Sequence, residues 1–413
     1  MYDLLKGLRV VEGSAFVAGP TCGLYLAQMG AEVIRFDAIG GGPDFRRWPL
    51  ADNGSSLYWE GLNKGKKSVA LNLSSPQGRE IAQRLAASGG AGGAPEGAPE
   101  GAMFVTNFPV EGFLSHATLS ALNRDLICVR VMGWADGSQG MDYTINSALG
   151  LPLMTGPTDD ARPVNHVLAA WDLLTGAYCA FALTAALIGR MRGEGGREIR
   201  VPLSDVGAAT MANLGFAAET LTTGEPRPRM GNDLYGAFGR DFTTHDGQRL
   251  MLLCVTPRQW SKALEALGIA DEVAVVEAEL GVSFAADEGL RFTHRARLYP
   301  LFEAAFAAKD ATQLTAALDA GGVTWGAYQT MVEALDDPRL YKDNPLFQTV
   351  RHPSGLDYIT PGAMGTVLPD VRQSVQPAPK LGQHTDEVLA DVLGLSGAEI
   401  GRLHDAGVVA GAE

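Results

Sequence analysis

Residues 8–37, LRVVEGSAFVAGPTCGLYLAQMGAEVIRFD, decide the fold class of this chain. LRVVE has a strand pattern, PTCGLYLAQMG carries apolar residues at helical spacing, and AEVIRFD is a second strand-like run rich in Val and Ile. This order predicts a β-strand, an α-helix and a second β-strand parallel to the first. It therefore favours an α/β protein with a parallel sheet that is covered on both faces.

The alternation of helical and strand patterns continues downstream. Further elements are predicted as helices over residues 76–87 and 119–123, strands over 103–108 and 127–134, and a strand that enters a helix over 196–205. The long apolar segment after His166 predicts a central buried helix. Residues 88–102, rich in Gly, Ala, Pro and Glu, predict a solvated loop without chemistry.

Turn residues at Thr222–Pro228 mark a predicted boundary between two regions. The second region is predicted to contain strands within 238–255 and amphipathic helices near 260–268 and 311–322. Beyond it the chain is rich in turn residues until Ser396–Glu399, which has the spacing of a helix capping box.

The charge of the chain limits its partners. Its 413 residues include 47 Asp and Glu against 33 Lys and Arg, a formal net charge of −14, and no long basic stripe occurs. Nucleic-acid binding needs a basic face, so we expect no nucleic-acid partner, and an anionic ligand must be held locally.

Cysteine, histidine and apolar patterns point to a cytoplasmic protein without a metal. The four cysteines lie far apart and the seven histidines lack ligand spacing, which favours neither a zinc site nor disulfides. The longest nearly apolar run, Ala177–Gly189, is shorter than a bilayer span, and the N-terminus lacks a cleavage-site pattern. We therefore expect neither export nor membrane insertion.

Asp172 stands out because it is a lone carboxylate in a very apolar segment. An unpaired buried carboxylate is costly, so one interpretation is a helix N-cap or a hydrogen-bonded buried group. The other is a nucleophile, which helix N-terminal amides keep ionised and a dry pocket makes reactive. The residues alone leave both interpretations open.

Two further patterns have competing interpretations. The basic residues of Asn63–Lys67, like Arg46 and Arg47, form either a solvated turn or a grip for a phosphate group. Gly40–Gly42 follows the second strand but lacks the G-x-G-x-x-G spacing after the first. A dinucleotide dehydrogenase therefore has weak support.

A series of motifs then carries a resemblance. It consists of GLRVVEG, LAQMGAEVIRFD, LNKGKKSVALNL, the pair Asn107–Phe108, VRVMGWADG, Asp172 before a helix of small residues, GREIRVPLSD, and PAPKLGQHTDEVLADVLGLS. In these motifs and their order the chain resembles the class III CoA-transferase family, over essentially its full length.

The resemblance implies a fold and a reaction. The expected fold is a Rossmann-like α/β large domain with a smaller α+β domain, in an interlocked homodimer. The implied divisions are 1–205 for the large domain, 206–228 for a helical linker, 229–322 for the small domain and 323–413 for a part that returns to the large domain. Asp172 takes the position of the catalytic nucleophile. No permanently bound cofactor is expected, because CoA arrives within the substrate, an acyl-CoA thioester of a small dicarboxylic acid.

The resemblance also implies where CoA is bound. The expected contacts are Val17, Ala18, Leu71, Asn72, Ser74, Asn107, Phe108, Pro109 and Asp142. Cations of the formyl-CoA transferases are replaced here by Ala38 and Ser74. The phosphates then need other cations, for which the candidates are Arg35, Arg46, Lys64, Lys66 and Lys67.

Within the family, GSAFVAGP, GGGPDFRRWP, VNHVLAAWD and GNDLYGAFGRDF resemble the branch that moves CoA between the two carboxyl groups of one 2-methylfumarate molecule. Arg47 or Arg240 is the expected partner of the free carboxylate. Alternatives are intermolecular CoA transfer to another dicarboxylic acid, and an acyl-CoA racemase, which is disfavoured because Met141 stands where racemases place a histidine. A CoA-binding protein with a dead site is disfavoured by the presence of Asp172.

Overall fold

A computed structural model of the chain describes residues 1–88 and 102–412. These residues divide into two compact units, one of residues 1–149, 166–217 and 344–413, the other of residues 150–165 and 218–343. Most of the loop predicted over 88–102 lies outside the described residues. The domain limits predicted at residues 205, 228 and 322 stay predictions.

The described residues form twelve strands. They are β1 (Arg9–Gly13), β2 (Glu32–Ala38), β3 (Lys67–Leu71), β4 (Met103–Thr106), β5 (Ile127–Met132), β6 (Arg197–Pro202), β7 (Phe238–Thr243), β8 (Arg249–Cys254), β9 (Thr324–Ala327), β10 (Phe347–Arg351), β11 (Asp357–Pro361) and β12 (Val409–Ala410).

The same residues form seventeen helices. They are α1 (Ala18–Gln28), α2 (Leu57–Leu62), α3 (Pro76–Ala86), α4 (His116–Leu122), α5 (Asp142–Ala148), α6 (Leu151–Met154), α7 (Ala170–Met191), α8 (Leu203–Asn213), α9 (Phe216–Thr223), α10 (Pro257–Leu267), α11 (Ala270–Leu280), α12 (Glu288–Thr293), α13 (Arg295–Ala307), α14 (Ala311–Gly321), α15 (Met331–Asp336), α16 (Thr385–Leu393) and α17 (Gly397–Asp405).

The first unit is built on a seven-stranded sheet of order β12-β3-β2-β1-β4-β5-β6. Strands β1 to β6 are all parallel, and β12 pairs antiparallel with β3. The order 3-2-1-4-5-6 is that of doubly wound nucleotide-binding sheets. The α/β class with a large parallel sheet, predicted from residues 8–37, is confirmed.

Successive strand residues of this sheet face opposite layers, as the period of two requires. Val10 packs in a core with Cys22 of α1 and Leu183 of α7. Val11 packs in the other core, which includes Ile81 of α3 and Val388 of α16. Both faces of the sheet are thus covered by helices, which explains the almost continuous apolar strands.

Helix α7 corrects one expectation, because the structure buries only one side of it. Cys179, Leu183 and Leu187 are buried, but the opposite side is exposed, with Leu174, Tyr178, Phe181, Ile188 and Met191. Within the described residues it is also the single helix whose length and composition would suffice to cross a membrane, a test that core helices of soluble proteins also pass.

The second unit contains the antiparallel sheet β7-β8-β9 and the two predicted amphipathic helices, α10 and α14. Its core is aromatic, since Phe238 and Phe302 lie with ring centroids 4.5 Å apart and Phe242 and Phe306 lie 4.9 Å apart.

The C-terminal segment is more regular than its turn-rich composition predicted. It contains the hairpin β10-β11 and helix α16 before α17. The capping box predicted at the start of α17 is confirmed, with Ser396 accepting from the backbone N–H of Glu399 and the Glu399 side chain reaching back to Ser396.

Candidate active site

A cleft of about 510 Å³ opens at the carboxyl edge of the parallel sheet. Residues that follow β1, β4 and β5 line it, together with Asp172. Strands β1 and β4 are the neighbours between which the strand order reverses. Ligands of open α/β sheets bind in the crevice at this switch point, so the topology itself favours the cleft as the binding site.

Asp172 is the third residue of α7, and its carboxylate makes no hydrogen bond with the described residues. The N-cap position of α7 belongs to Ala169, so the N-cap interpretation of Asp172 does not hold. Burial, reinforced by the charge of Asp142 and opposed by Arg47, raises the pKa of Asp172 to about 7. A perturbed carboxylate in a cleft is typical of functional sites.

Asp142 is the first residue of α5 and is 2% exposed. Its Oδ2 accepts hydrogen bonds from the backbone N–H groups of Trp171, at 2.7 Å, and Asp172, at 3.1 Å. The side chain therefore caps the N-terminus of α7 from outside the helix. Its predicted role as a CoA contact stays a prediction.

The loop after β1 is held in a strained conformation beside the cleft. Phe16 has φ of 69°, in the left-handed region that is unusual for a bulky residue. Its backbone N–H donates to Asp44 Oδ2 at 3.1 Å, which stabilises this conformation. Strained backbone conformations of this kind are most common at functional sites.

Asn107 joins two walls of the cleft. Its Oδ1 accepts from the backbone N–H of Ala15 at 3.2 Å, and its Nδ2 donates to the Ala15 carbonyl at 3.1 Å. The amide side chain is thus used within the protein, and a ligand would meet mainly the backbone of Asn107 and the neighbouring Phe108 and Pro109, all of which line the cleft.

Arg130, in the middle of β5, holds the loop after β4 in place by hydrogen bonds. It is fully buried and donates to the carbonyl oxygens of Phe108, at 2.7 Å, Pro109, at 2.9 Å, and Leu114, at 2.9 Å. Its Nε donates to Glu198 at 2.8 Å. The buried guanidinium therefore fixes the loop after β4 through its backbone.

The third wall is the loop between β5 and α5, where two stretches of backbone meet. A Cβ added to Gly133 would lie 2.2 Å from the backbone nitrogen of Gly140. Only glycine permits this approach. The approach brings Gly137–Met141 against the cleft that Asp172 also lines.

Two cations predicted to grip CoA phosphates lie instead in a buried network. Arg35 is 1% exposed and pairs with Asp37, Asp44 and Glu12. Lys66 is 3% exposed, and its Nζ lies 2.8 Å from Glu12 Oε2. Because buried charges need their partners, contact with a phosphate would require breaking these pairs.

The other lysines of the basic island are also engaged or enclosed. Lys67 pairs with Glu32 and Glu387. Lys64 is 6% exposed, and burial together with the charge of Lys66 lowers its pKa to about 8.

Arg46 and Arg47 are both exposed but have different neighbours. The guanidinium of Arg47 lies 5.8 Å from the ring centroid of Phe16 and 5.6 Å from that of Tyr58, beside the cleft. Arg46 lines a separate cavity of about 600 Å³ with Trp59. Of the two, Arg47 is the one placed to act on the charge of Asp172.

Arg240 belongs to the second unit, where it lies in β7. Its side chain approaches Asp233 at 3.7 Å and Glu303 at 3.6 Å, and stacks over Tyr299 at 4.5 Å. Its assignment to the substrate carboxylate stays a prediction.

The remaining predicted CoA contacts follow the strands of the same sheet. Val17 is the N-cap residue of α1, and Ala18, its first residue, lines the cleft. Leu71 ends β3 in the core, followed by Asn72, whose amide donates to Gly407, and by exposed Ser74. All lie at the carboxyl edge, but Leu71, Asn72 and Ser74 do not line the cleft of Asp172.

Sequence reasoning missed four residues that shape this site, namely Phe16, Asp44, Arg130 and His166. A signal exists for Arg130, since a charge within the apolar strand ICVRVM demands a buried partner. Asp44 and His166 lie in the motifs GGGPDFRRWP and VNHVLAAWD, but these motifs alone indicate no role for either residue. Within the residues that the structure describes, no cluster of His, Cys, Asp and Glu could hold a metal ion.

Comparison with known proteins adds to this geometry. Residues 5–385 match the profile of CoA-transferase family III. Over 413 residues, 100% of this chain and 99% of the relative, the sequence is 46% identical to 2-methylfumaryl-CoA isomerase of Chloroflexus aurantiacus.

More distant relatives agree. Succinate–glutarate CoA-transferase of Agrobacterium fabrum is 27% identical over 414 residues, which cover 94% of this chain and 95% of that protein. A solved CAIB/BAIF family protein from Brucella suis superimposes with a TM-score of 0.74 at 27% identity, over 94% of this chain and 99% of that chain.

Proposed function

Since this chain belongs to CoA-transferase family III, we propose that it moves CoA between the two carboxyl groups of 2-methylfumarate (mesaconate). The product of 2-methylfumaryl-CoA is then 3-methylfumaryl-CoA. The observation that carries the proposal is the full-length similarity to a relative named for this substrate, together with a perturbed carboxylate, Asp172, in the cleft at the sheet's switch point.

The first half of the reaction transfers CoA to the protein. The Asp172 carboxylate attacks the thioester carbonyl, the C–S bond breaks, and CoA leaves as a thiolate. A mixed anhydride joins Asp172 to the dicarboxylic acid. The thiolate then attacks the aspartyl carbonyl of this anhydride, which yields an aspartyl-CoA thioester and the free dicarboxylate.

The second half repeats these steps at the other end of the acid. The second carboxylate attacks the aspartyl-CoA carbonyl and expels the thiolate, which forms the isomeric anhydride. Thiolate attack on the acyl carbonyl then releases the isomeric thioester and restores Asp172. No water is consumed and no cofactor beyond the substrate's CoA is used, so the acid must stay bound between the two halves.

Arg47 is the proposed partner of the free carboxylate. It lies beside the cleft against Phe16, and its charge is close enough to lower the proton affinity of Asp172. A guanidinium binds a carboxylate through two parallel hydrogen bonds. Arg240 remains the second candidate.

CoA is proposed to lie along the carboxyl edge of the sheet, from the Asp172 cleft towards the ends of β1, β3 and β4. Backbone groups at Val17, Ala18 and Asn107–Pro109 would contact it, with Leu71, Asn72 and Ser74 nearer the nucleotide. Arg46 is an exposed cation available for the phosphates. Arg35 and Lys66 would support this edge from within their buried network.

A homodimer is part of the proposal. The exposed apolar side of α7 would be costly in water, and a second copy of the chain, interlocked with the first, would cover it. Residues 1–205 and 323–413 would form the large domain and 229–322 the small one, joined through 206–228. A cytoplasmic location is supported by four free, buried cysteines.

Intermolecular CoA transfer is the second candidate, because relatives at lower identity are named as transferases between two acids. The deciding experiment incubates the purified protein with 2-methylfumaryl-CoA, without an acceptor acid, and separates the isomeric thioesters by chromatography. Appearance of 3-methylfumaryl-CoA supports the isomerase. Ready exchange of labelled free mesaconate into the product would favour the intermolecular reaction instead.

The nucleophile is tested with Asp172→Ala and, as its control, Asp52→Ala, which removes an exposed carboxylate of the same unit. The first variant should lose turnover while it retains its fold, and the second should keep both. Hydroxylamine added during turnover should leave a hydroxamate on the Asp172 peptide, detected by mass spectrometry. Ordinary turnover by Asp172→Ala would refute the assignment.

A further inference from the structure

The carboxylate of Asp142 connects helix α7 to a histidine that the proposed reaction does not use. One of its oxygens, Oδ2, accepts the N–H groups of Trp171 and Asp172. The other, Oδ1, lies 3.0 Å from Nε2 of His166. Because a carboxylate can only accept, Nε2 carries the hydrogen in this contact. His166 therefore contacts Asp142, and Asp142 in turn contacts the backbone of Asp172, the proposed nucleophile.

His166 also shields Asp142 from solvent. Its side chain is 23% exposed, whereas that of Asp142 is 3% exposed. The imidazole packs edge-on against Tyr143, with ring centroids 6.0 Å apart, and tilts over Trp171 at 6.4 Å. These contacts hold the ring on the Asp142 oxygen, so its orientation is fixed from two helices.

We propose that His166 is a positioning residue that sets the charge and orientation of Asp142 and, through it, the reactivity of Asp172. The inference rests on the proposed function, since it takes Asp172 to be the nucleophile. The hydrogen bond from His166 withdraws charge from Asp142. Less negative charge then faces Asp172, which favours the ionised carboxylate that must attack the thioester.

Other charged or titratable groups lie near His166 and Asp172. Asp142 and Tyr143 of α5 face His166. Asp142 and Arg47 act on Asp172, and the charge of Asp172 in turn reaches Tyr58. Arg47 opposes Asp142, so His166 and Arg47 act on Asp172 in the same direction.

The structure therefore predicts opposite effects for the two members of the pair. His166→Ala should lower kcat about 10-fold, change KM for the CoA ester less than about twofold, and move the acid limb of the kcat profile to higher pH by about half a unit or more. Asp142→Asn should move the same limb to lower pH, because it removes a negative charge beside Asp172. The double variant should follow Asp142→Asn.

Two further variants separate the hydrogen bond from simple packing. His166→Gln retains a donor near Nε2, so it should recover most of kcat and return the acid limb towards its wild-type position. Tyr143→Phe removes the hydroxyl that donates to the Val167 carbonyl at 3.2 Å, and it should leave the acid limb in place. If His166→Ala fails to fold by circular dichroism, His166→Phe, which keeps a ring beside Tyr143 but has no donor, takes its place in the test.

The measurement is kcat against pH for the full-length protein with 2-methylfumaryl-CoA, together with hydroxylamine trapping in the wild type. If hydroxylamine traps Asp172 in the wild type but the acid limb of the His166 variant without a donor does not move, only the role of His166 is overturned. Limb shifts of the same sign for His166→Ala and Asp142→Asn also overturn it. Absence of the adduct in an active wild type instead refutes the nucleophile, and with it the proposed function.

Discussion

Replacing Asp172 with asparagine is expected to stabilise the folded protein above neutral pH. Folding raises the pKa of this carboxyl from 3.8 to about 7, chiefly by burial, with a contribution from Asp142 and an opposing one from Arg47. Between these values the folded chain keeps a proton that the unfolded chain has released, so stability falls as pH rises through this window. Above about pH 7 the cost is complete, and asparagine avoids it.

The magnitude follows from the shift of about three pKa units. At about 1.36 kcal/mol per unit the full cost is about 4 kcal/mol, of which roughly 2–3 kcal/mol accumulates between pH 5 and pH 7. Because one side of the carboxylate faces the open cleft, we expect the lower part of this range, about 2 kcal/mol.

Urea denaturation at pH 5 and pH 8, followed by tryptophan fluorescence, measures the effect as the change in the free energy of unfolding. The advantage of Asp172→Asn over the wild type should grow by about 2 kcal/mol between the two pH values. Asp52→Asn, at an exposed carboxylate of the same unit, is the control and should show no such growth. An advantage of Asp172→Asn that is equal at pH 5 and pH 8 would show that the buried charge is not costly.

Three further outcomes are expected. The kcat/KM of the wild type should rise with pH to half its plateau near pH 7, where the nucleophile ionises, and a half-maximum below pH 5 would contradict the pKa given above. Arg130→Met should raise KM for the CoA ester about tenfold and lower the free energy of unfolding by about 3–5 kcal/mol, because the loop after β4 loses its hydrogen bonds to the guanidinium. Its control is Arg200→Met, at an exposed residue that pairs with the same glutamate, which should lower the free energy of unfolding by less than about 1 kcal/mol in urea denaturation. Gly23→Ala places a methyl group 1.9 Å from Glu12 Oε2 in the buried charge network and should destabilise by about 1–3 kcal/mol, while Gly61→Ala, which meets no atom within 4 Å, should be neutral or slightly stabilising in the same assay.

The elements that sequence predicted well are those specified locally. Strands β1 and β2 and helix α1 follow from the period of apolar residues within 30 residues of chain, and Asp172 stood out because its neighbours are apolar. The exposed side of α7 was not predictable in this way. Apolar residues on both sides of a helix indicate burial without saying whether the chain itself or another molecule supplies it.

The partners of the charged residues could not be predicted from the neighbouring sequence. Arg35 and Lys66 appear as free cations in the sequence, but both pair with Glu12, which the parallel pairing of β1 with β2 places opposite Arg35. Arg35 pairs in addition with Asp37 and Asp44. Likewise the strain at Phe16 depends on a hydrogen bond to Asp44, 28 residues away. Partners in space decide whether a cation meets a ligand or a carboxylate, and a single sequence does not contain that information.

The pairing of β12 with β3 has a consequence for biosynthesis. Val409 pairs with Leu71, so the edge of β3 stays open on the ribosome until more than 300 further residues have been translated. An open strand edge is a template for pairing with other chains, and contacts this distant in sequence form slowly. The nascent chain therefore exposes the unpaired edge of β3 for most of its synthesis. We expect chaperone dependence and aggregation to fall sharply once residues 409 and 410 have emerged from the ribosome and can pair with β3.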